Sequence, residues 1–294
     1  MEILMRAGFY LRKALALLCA LLVPAVAAAA DESVQLFDTA AGKNVSVEDA
    51  AKALSSYDVV MLGEFHDSLP IHHLETELFS ELCRVNGEKQ ALSMEMFERD
   101  TQPVLDAYLA GEISEADFLA RSRPWPNYQT GYRDTVEFAK SHHRPVIAAN
   151  VPRPLAAVLA KTGTLDAIPS DQRRWLPLKT YAPDGPYKEK FWQAMKAVAA
   201  EGMPVHEERI PDMYRAQCLK DDAMAESIDR FLTAHPGKKV FHMQGEFHGI
   251  DRLGVAQKLH ALRPDLKIAV LTAYRGTPTE EAKKGADFLL LVSK

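Results

Sequence analysis

Val59-Val60-Met61-Leu62-Gly63-Glu64-Phe65-His66 is a run of large apolar residues that ends in Gly-Glu-Phe-His. Val240-Phe241-His242-Met243-Gln244-Gly245-Glu246-Phe247-His248 ends the same way. Such runs of β-branched and large apolar residues read as strands buried on both faces, which is the habit of parallel sheets. Ligands of open α/β sheets sit beyond the carboxyl ends of the strands. Two strands are therefore expected to deliver the same group to one rim. Glycine permits a tight turn off each strand. Glu and His then supply an oxygen ligand or base and an imidazole. The competing reading is coincidence, with each His a satisfied loop residue.

Outward from these runs, strand patterns recur at Ser33 to Phe37, Gln90 to Phe97, Pro145 to Val151, Lys267 to Tyr274 and Phe288 to Val292. Helical patterns separate them. Ser46, followed by Asp49 at the capping-box position, opens one helix. Pro70 to Asn86 forms another, with Ile71, Leu74, Leu78 and Leu82 at helical spacing. Alternating strands and helices predict an α/β fold: a parallel β-sheet flanked by helices, with a smaller helical cap subdomain. The cap is assigned to insertions at about 99–144 and 154–237, which are too long for simple crossovers. Both are read as covering the rim.

The first 30 residues read as a secretory signal. Arg6, Arg12 and Lys13 precede the apolar stretch Leu15 to Val26, which is too short to span a bilayer, and Ala27 to Ala30 offers small residues for cleavage. Residues 31–294 then form the α/β domain. Cys19 lacks the small residue expected just before a lipidated cysteine. The expectation is an exported soluble protein, periplasmic in a two-membrane bacterium, rather than an anchored lipoprotein. The net charge of −5 becomes more acidic on cleavage and argues against general nucleic-acid binding. Cys83 and Cys218 leave both a disulfide and free thiols open.

The strand ends deliver Glu64, His66 and Asp67; Glu95, Glu98 and Arg99; Asn150 and Arg153; Glu246 and His248; Tyr274 and Arg275. Two His and a carboxylate suit Zn²⁺, Mn²⁺ or Fe²⁺, and an open position would activate water. A polar rim that caps helices and pairs with Arg153 and Arg275 explains the same residues without chemistry. The other histidines, His72 and His73 among them, carry less weight, and His242 reads as core. The insertions are rich in aromatics, Trp125, Tyr128, Tyr132, Tyr181, Tyr187, Phe191 and Trp192, beside prolines and Arg133. They form either a cap core or a flat apolar cleft with a phenolate for haem iron.

The segments Val60 to Asp67, Met94 to Phe97, Ala149 to Arg153 and Gly245 to His248 resemble the hallmark segments of the ChaN family. The stretch from Trp125 through Tyr132 to Ala139 and the helix at Asp222 to Ala225 fit as well. The resemblance implies an exported haem-binding protein of haem and iron uptake. It also implies haem held between protomers of a homodimer, a tyrosine on the iron, and a haem transport system as partner. Tyr132 is the first choice of ligand and Tyr128 the second, with Arg133, Asn150 and Arg153 assigned to the cofactor. The wider Tiki/TraB superfamily is similar in its paired Gly-x-x-His motifs and its Glu. It supplies the alternative, a metal-dependent hydrolase with His66, His248 and Glu95 as ligands and Glu64, Glu95 and Glu246 as catalytic carboxylates.

Overall fold

The computed structural model describes residues 32–202 and 204–293. The signal segment, its cleavage site and Cys19 lie outside the described residues. Two compact units are present. The larger runs to Asn150 and resumes at Asp221; the smaller is Val151–Lys220.

The larger unit is built on an eight-stranded sheet. In chain order the strands are β1 (Ser33–Asp38), β2 (Lys43–Val45), β3 (Val59–Glu64), β4 (Gln90–Glu98), β5 (Val146–Asn150), β6 (Lys239–Gly245), β7 (Ile268–Arg275) and β8 (Phe288–Ser293). They lie side by side as β2-β1-β8-β7-β3-β6-β4-β5. The six strands from β8 to β5 are mutually parallel, while β1 runs antiparallel to β8 and β2 antiparallel to β1. The antiparallel edge departs from the all-parallel expectation. The three-residue β2, too short to show an alternating pattern, was not legible in the sequence.

β3 is buried at every residue. Val60 and Leu62 enter one core layer and Val59 and Met61 the other, as the two-residue period of a strand requires. The first layer packs on α1 (Val47–Leu54) and α2 (Leu69–Asn86). Ser46 caps α1 by accepting the Asp49 amide at 3.2 Å. α2 buries Ile71, Leu74, Leu78 and Leu82 and ends at Gly87, whose φ of 60° suits glycine. The second layer packs on α9 (Gly254–Leu262) and on Met224, Ala225 and Ile228.

The insertion between β4 and β5 belongs to this same core. It holds α3 (Gln102–Leu109), α4 (Glu115–Ser122), a π-turn at Tyr128–Tyr132 and α5 (Arg133–Ser141). Tyr108 stacks on Phe118 at 4.4 Å, and Phe118 and Tyr128 close around Phe97 of β4. Its aromatics are thus core of the larger unit. Among the described residues only Val151–Lys220 separates as a second unit.

The smaller unit contains α6 (Arg153–Thr162), α7 (Pro186–Ala200) and the first part of α8 (Ile210–Ala234), which enters the larger unit at Asp221. Tyr187 and Phe191 pack against Tyr214 at 5.8 and 5.5 Å, and the Tyr214 hydroxyl donates to Pro183 O at 2.6 Å. The short α10 (Glu280–Gly285) precedes β8. Cys83 and Cys218 are both buried and are not joined in a disulfide. Among the described residues no helix is long and apolar enough to cross a membrane.

Candidate functional site

β3 and β6 are neighbours, so the two Gly-Glu-Phe-His segments leave the same edge of the sheet side by side. Their register is offset by one residue: Gly63 lies opposite Gln244 and Glu64 opposite Gly245. The motif glycines are there for close approach, since neither has a positive φ. A Cβ on Gly63 would stand 2.7 Å from Glu246 Cα, and one on Gly245 would stand 2.7 Å from His66 Nε2. This differs from the expected turn-forming role. The two strand ends interlock, and only hydrogen fits between them.

Glu64 is the hub of the first motif and is fully buried. Its Oε1 accepts from the Tyr132 hydroxyl at 2.6 Å and lies 2.6 Å from His66 Nδ1. Its Oε2 lies 3.5 Å from His72 Nδ1. His72 and Glu75 come from the first turns of α2, with His72 Nδ1 3.1 Å from Glu75 Oε2. The π-turn completes the wall. Asn127 Nδ2 donates to His66 O at 2.8 Å, and the His72 ring meets Tyr132 edge-on at 4.8 Å. Burial opposes the charge on Glu64, yet the hydrogen bonds to His66 and His72 win and hold its carboxyl well below the usual range. Burial likewise opposes charge on His72, but Glu64 and Glu75 raise it to about 11. Glu75 is pushed well up by burial and then by the Glu64 charge.

The second cluster is centred on Glu95, at the bulge where β4 shifts register between Met94 and Glu98. Glu95 Oε2 accepts the Gly245 amide at 2.8 Å. Its Oε1 lies 3.1 Å from His248 Nε2, and His248 Nδ1 lies 2.5 Å from Asp221 Oδ1. Burial lowers the His248 value, but the charges of Glu95 and Asp221 outweigh it and raise it to about 10. His248 is thus held at both nitrogens by carboxylates.

The ligand atoms of His66, His248 and Glu95 do not gather within 4.8 Å of one another. Among the described residues, the one group whose ligand atoms converge within 4.8 Å is Glu64, His72 and Glu75. Of the carboxylates expected to be catalytic, Glu64 and Glu95 are buried in hydrogen bonds. Glu246 is half-buried, and its carboxyl is raised by burial against the pull of His66. His66 is the part-open member of the rim, its side chain 27 % exposed. Burial opposes its charge, but Glu64, Glu95 and Glu246 raise its pKa above the ordinary value.

The tyrosines need correction too. Tyr132 is fully buried on Glu64, and the Tyr128 hydroxyl is sealed in the aromatic core without a hydrogen-bond partner. Neither presents oxygen to an external ligand. Arg133 is engaged by Glu115 through two bonds of 2.7 and 3.0 Å. Asn150 is buried at the end of β5, and Arg153 opens α6 in the smaller unit. Arg99 is structural, donating to Ser227 at 2.8 Å, to Glu226 and to Ala223 O. His242 is core as expected, its Nδ1 on Ser93 at 2.9 Å and its pKa lowered by burial to about 4. The sequence reading missed Glu75, Asp221 and Asn127 and set His72 aside. The i,i+3 spacing of His72 and Glu75 one turn beyond the first motif was the available signal.

With this geometry, the family model described as haem-binding uptake, Tiki superfamily, ChaN matches residues 50–259. The chain belongs to this family. Membership in the ChaN family supports haem binding. ChaN of Campylobacter jejuni, solved in a study of cofacial haem binding, superposes with a TM-score of 0.67 at 19% identity, covering 89% of this chain and 97% of that one. The type III effector HopBA1 follows at a TM-score of 0.47 and 13% identity over 83% and 92% of the two chains. An erythromycin esterase mutant in its open conformation gives 0.46 and 13% over 90% and 83%. No curated protein sequence matches the chain significantly. The C. jejuni likeness establishes the shared α/β fold, with its eight-stranded sheet flanked by helices.

Proposed function

We propose that this ChaN-family chain is an exported, periplasmic haem-binding protein of haem and iron uptake, and that Tyr181 supplies the phenolate to the iron. The observation that carries the assignment is exposure. Tyr181 is 66 % exposed and is the one exposed tyrosine among the described residues. It stands three residues from Leu178, which is 83 % exposed and the most exposed large apolar side chain among the described residues. Trp175 is half-buried in the same segment, with the Arg174 guanidinium 5.0 Å from its ring. A porphyrin needs this combination: apolar surface for its face, a phenol within reach of the iron, and cations such as Arg174 and Lys179 for its propionates. These residues fit haem; Tyr132 and Tyr128 do not, because their oxygens are enclosed.

A porphyrin seated on so open a segment leaves its other face in water, and a second protomer covers it. The cofacial arrangement named for C. jejuni ChaN supplies a model for such a homodimer. A haem transport system is the partner that uptake requires. Titrating haemin into the wild type, Tyr181→Phe and Tyr132→Phe tests the reading. A saturable Soret change is expected in the wild type and in Tyr132→Phe, with an altered spectrum in Tyr181→Phe. An unaltered Tyr181→Phe spectrum rejects the ligand, and the absence of saturable binding in the wild type rejects the function.

A further inference from the structure

We propose that Glu64, His72 and Glu75 form a buried site for a divalent transition-metal ion, distinct from the haem segment. One carboxylate oxygen from each glutamate and His72 Nδ1 provide the ligands. This goes beyond the haem reading and does not depend on it.

The tautomer of His72 carries the first part of the argument. Its Nε2 lies 3.1 Å from the main-chain oxygen of His66. A carbonyl oxygen only accepts, so Nε2 bears the proton. In the neutral ring Nδ1 is then a bare lone pair, and it faces Glu75 Oε2 at 3.1 Å and Glu64 Oε2 at 3.5 Å. A lone pair set against two carboxylates is repulsive unless something positive lies between them. That is a proton, on the ring or on Glu75, or a cation. Metal-bound imidazoles characteristically donate their other N–H to a carbonyl or carboxylate, as here.

Vacant oxygen valence is the second part. Glu64 Oε2 and Glu75 Oε1 are buried and accept no hydrogen bond, although both side chains are fully enclosed. A buried carboxylate oxygen with no donor is costly. An added proton on His72 satisfies only the oxygens it points at. An ion with several ligand positions draws on one oxygen of each carboxylate. Spacing agrees, since ligand atoms around a tetrahedral ion with bonds of 2.0–2.2 Å stand about 3.3–3.6 Å apart. The surroundings are built for it as well. Tyr132 and His66 hold Glu64 Oε1 and leave Oε2 turned to the site. Gly131 admits the imidazole, because a Cβ there would stand 3.0 Å from Nε2. One nitrogen and two oxygens suit Zn²⁺, Mn²⁺ or Fe²⁺ and disfavour the soft ions that thiolates select. Buried at the joint of α2, β3 and the π-turn, the ion acts as a tie between those elements.

The full chain, stripped with a chelator and dialysed against Zn²⁺ or against Mn²⁺, is assayed by elemental analysis as wild type, Glu75→Gln, His72→Gln and the exposed-site control His206→Gln. About one ion per folded chain is expected for the wild type and the control, with affinity at least about tenfold weaker in Glu75→Gln and His72→Gln. Anomalous diffraction from Zn²⁺-loaded wild-type crystals locates the ion without any substitution. A peak between His72 and the two carboxylates supports the site. A folded wild type that takes up no ion, full uptake by Glu75→Gln, or a peak beside His66 and Glu95 instead overturns it and leaves a buried proton, on His72 or on Glu75, as the answer. Haemin binding proceeds on other residues, so failure of the haem titration does not bear on this result.

Discussion

A Cβ at residue 63 would meet backbone, Glu246 Cα, at 2.7 Å; at residue 245 it would meet the far end of a side chain, the His66 ring, also at 2.7 Å. The two substitutions are therefore expected to differ in kind. Gly63→Ala forces the strand ends apart and costs roughly 1–3 kcal/mol in urea denaturation. Gly245→Ala costs less but displaces His66, which two-dimensional NMR of the histidine rings detects. Equal stability losses with an unmoved His66 would refute this view of the interlock. His248 provides a pH test at the same scale. Burial opposes charge on it, but Glu95 and Asp221 raise its folded pKa from 6.5 to about 10. A raised value gives stability that is fully present below about pH 6.5 and lost as pH climbs through 10. Wild-type stability should fall across that window, and His248→Gln should flatten the fall. An unchanged slope in the variant would show that His248 is not the group responsible. At this scale the sequence was half legible. The paired motifs and Glu95 announced a rim because their residue types and strand-end positions are unusual. The partners that decide its chemistry, Glu75 and Asp221, are ordinary helix residues until burial removes them from water.

Strands declared themselves within a residue or two at each end, because β3, β4 and β6 carry runs of β-branched and large apolar residues and are buried along almost their whole length. The N-cap of α1 was equally plain, since Ser46 and Asp49 satisfy backbone donors locally. What eluded the sequence was allegiance. The aromatic insertion between β4 and β5 carries helix signals and prolines like any cap, and nothing local says that Phe118 and Tyr128 will close on Phe97. Phe118→Ala tests that allegiance. A fully buried ring stacked on Tyr108 at 4.4 Å should cost about 3–5 kcal/mol when removed, lowering the cooperative unfolding of the whole larger unit. A loss below about 1 kcal/mol, the range of surface changes, would return the insertion to the status of a loose cover.

On the scale of the whole molecule, two activities read from one sequence part company. The rim that suggested a hydrolase is closed by its own hydrogen bonds, with Glu64, Glu95 and His248 all enclosed. Among the exposed apolar residues, Leu178 and Tyr181 lie in the smaller unit, and the proposed haem site is built on them. Haem should therefore drive self-association. Sedimentation is expected to show a shift toward dimer on addition of haemin to the wild type, and a mass that stays monomeric at saturation would mean that the porphyrin is covered within one chain. The central claim, a Tyr181 phenolate on haem iron, is tested most directly by the resonance Raman spectrum of the haemin complex. Iron–phenolate modes are expected in the wild type and in Tyr132→Phe and absent in Tyr181→Phe; their persistence in Tyr181→Phe would contradict the account.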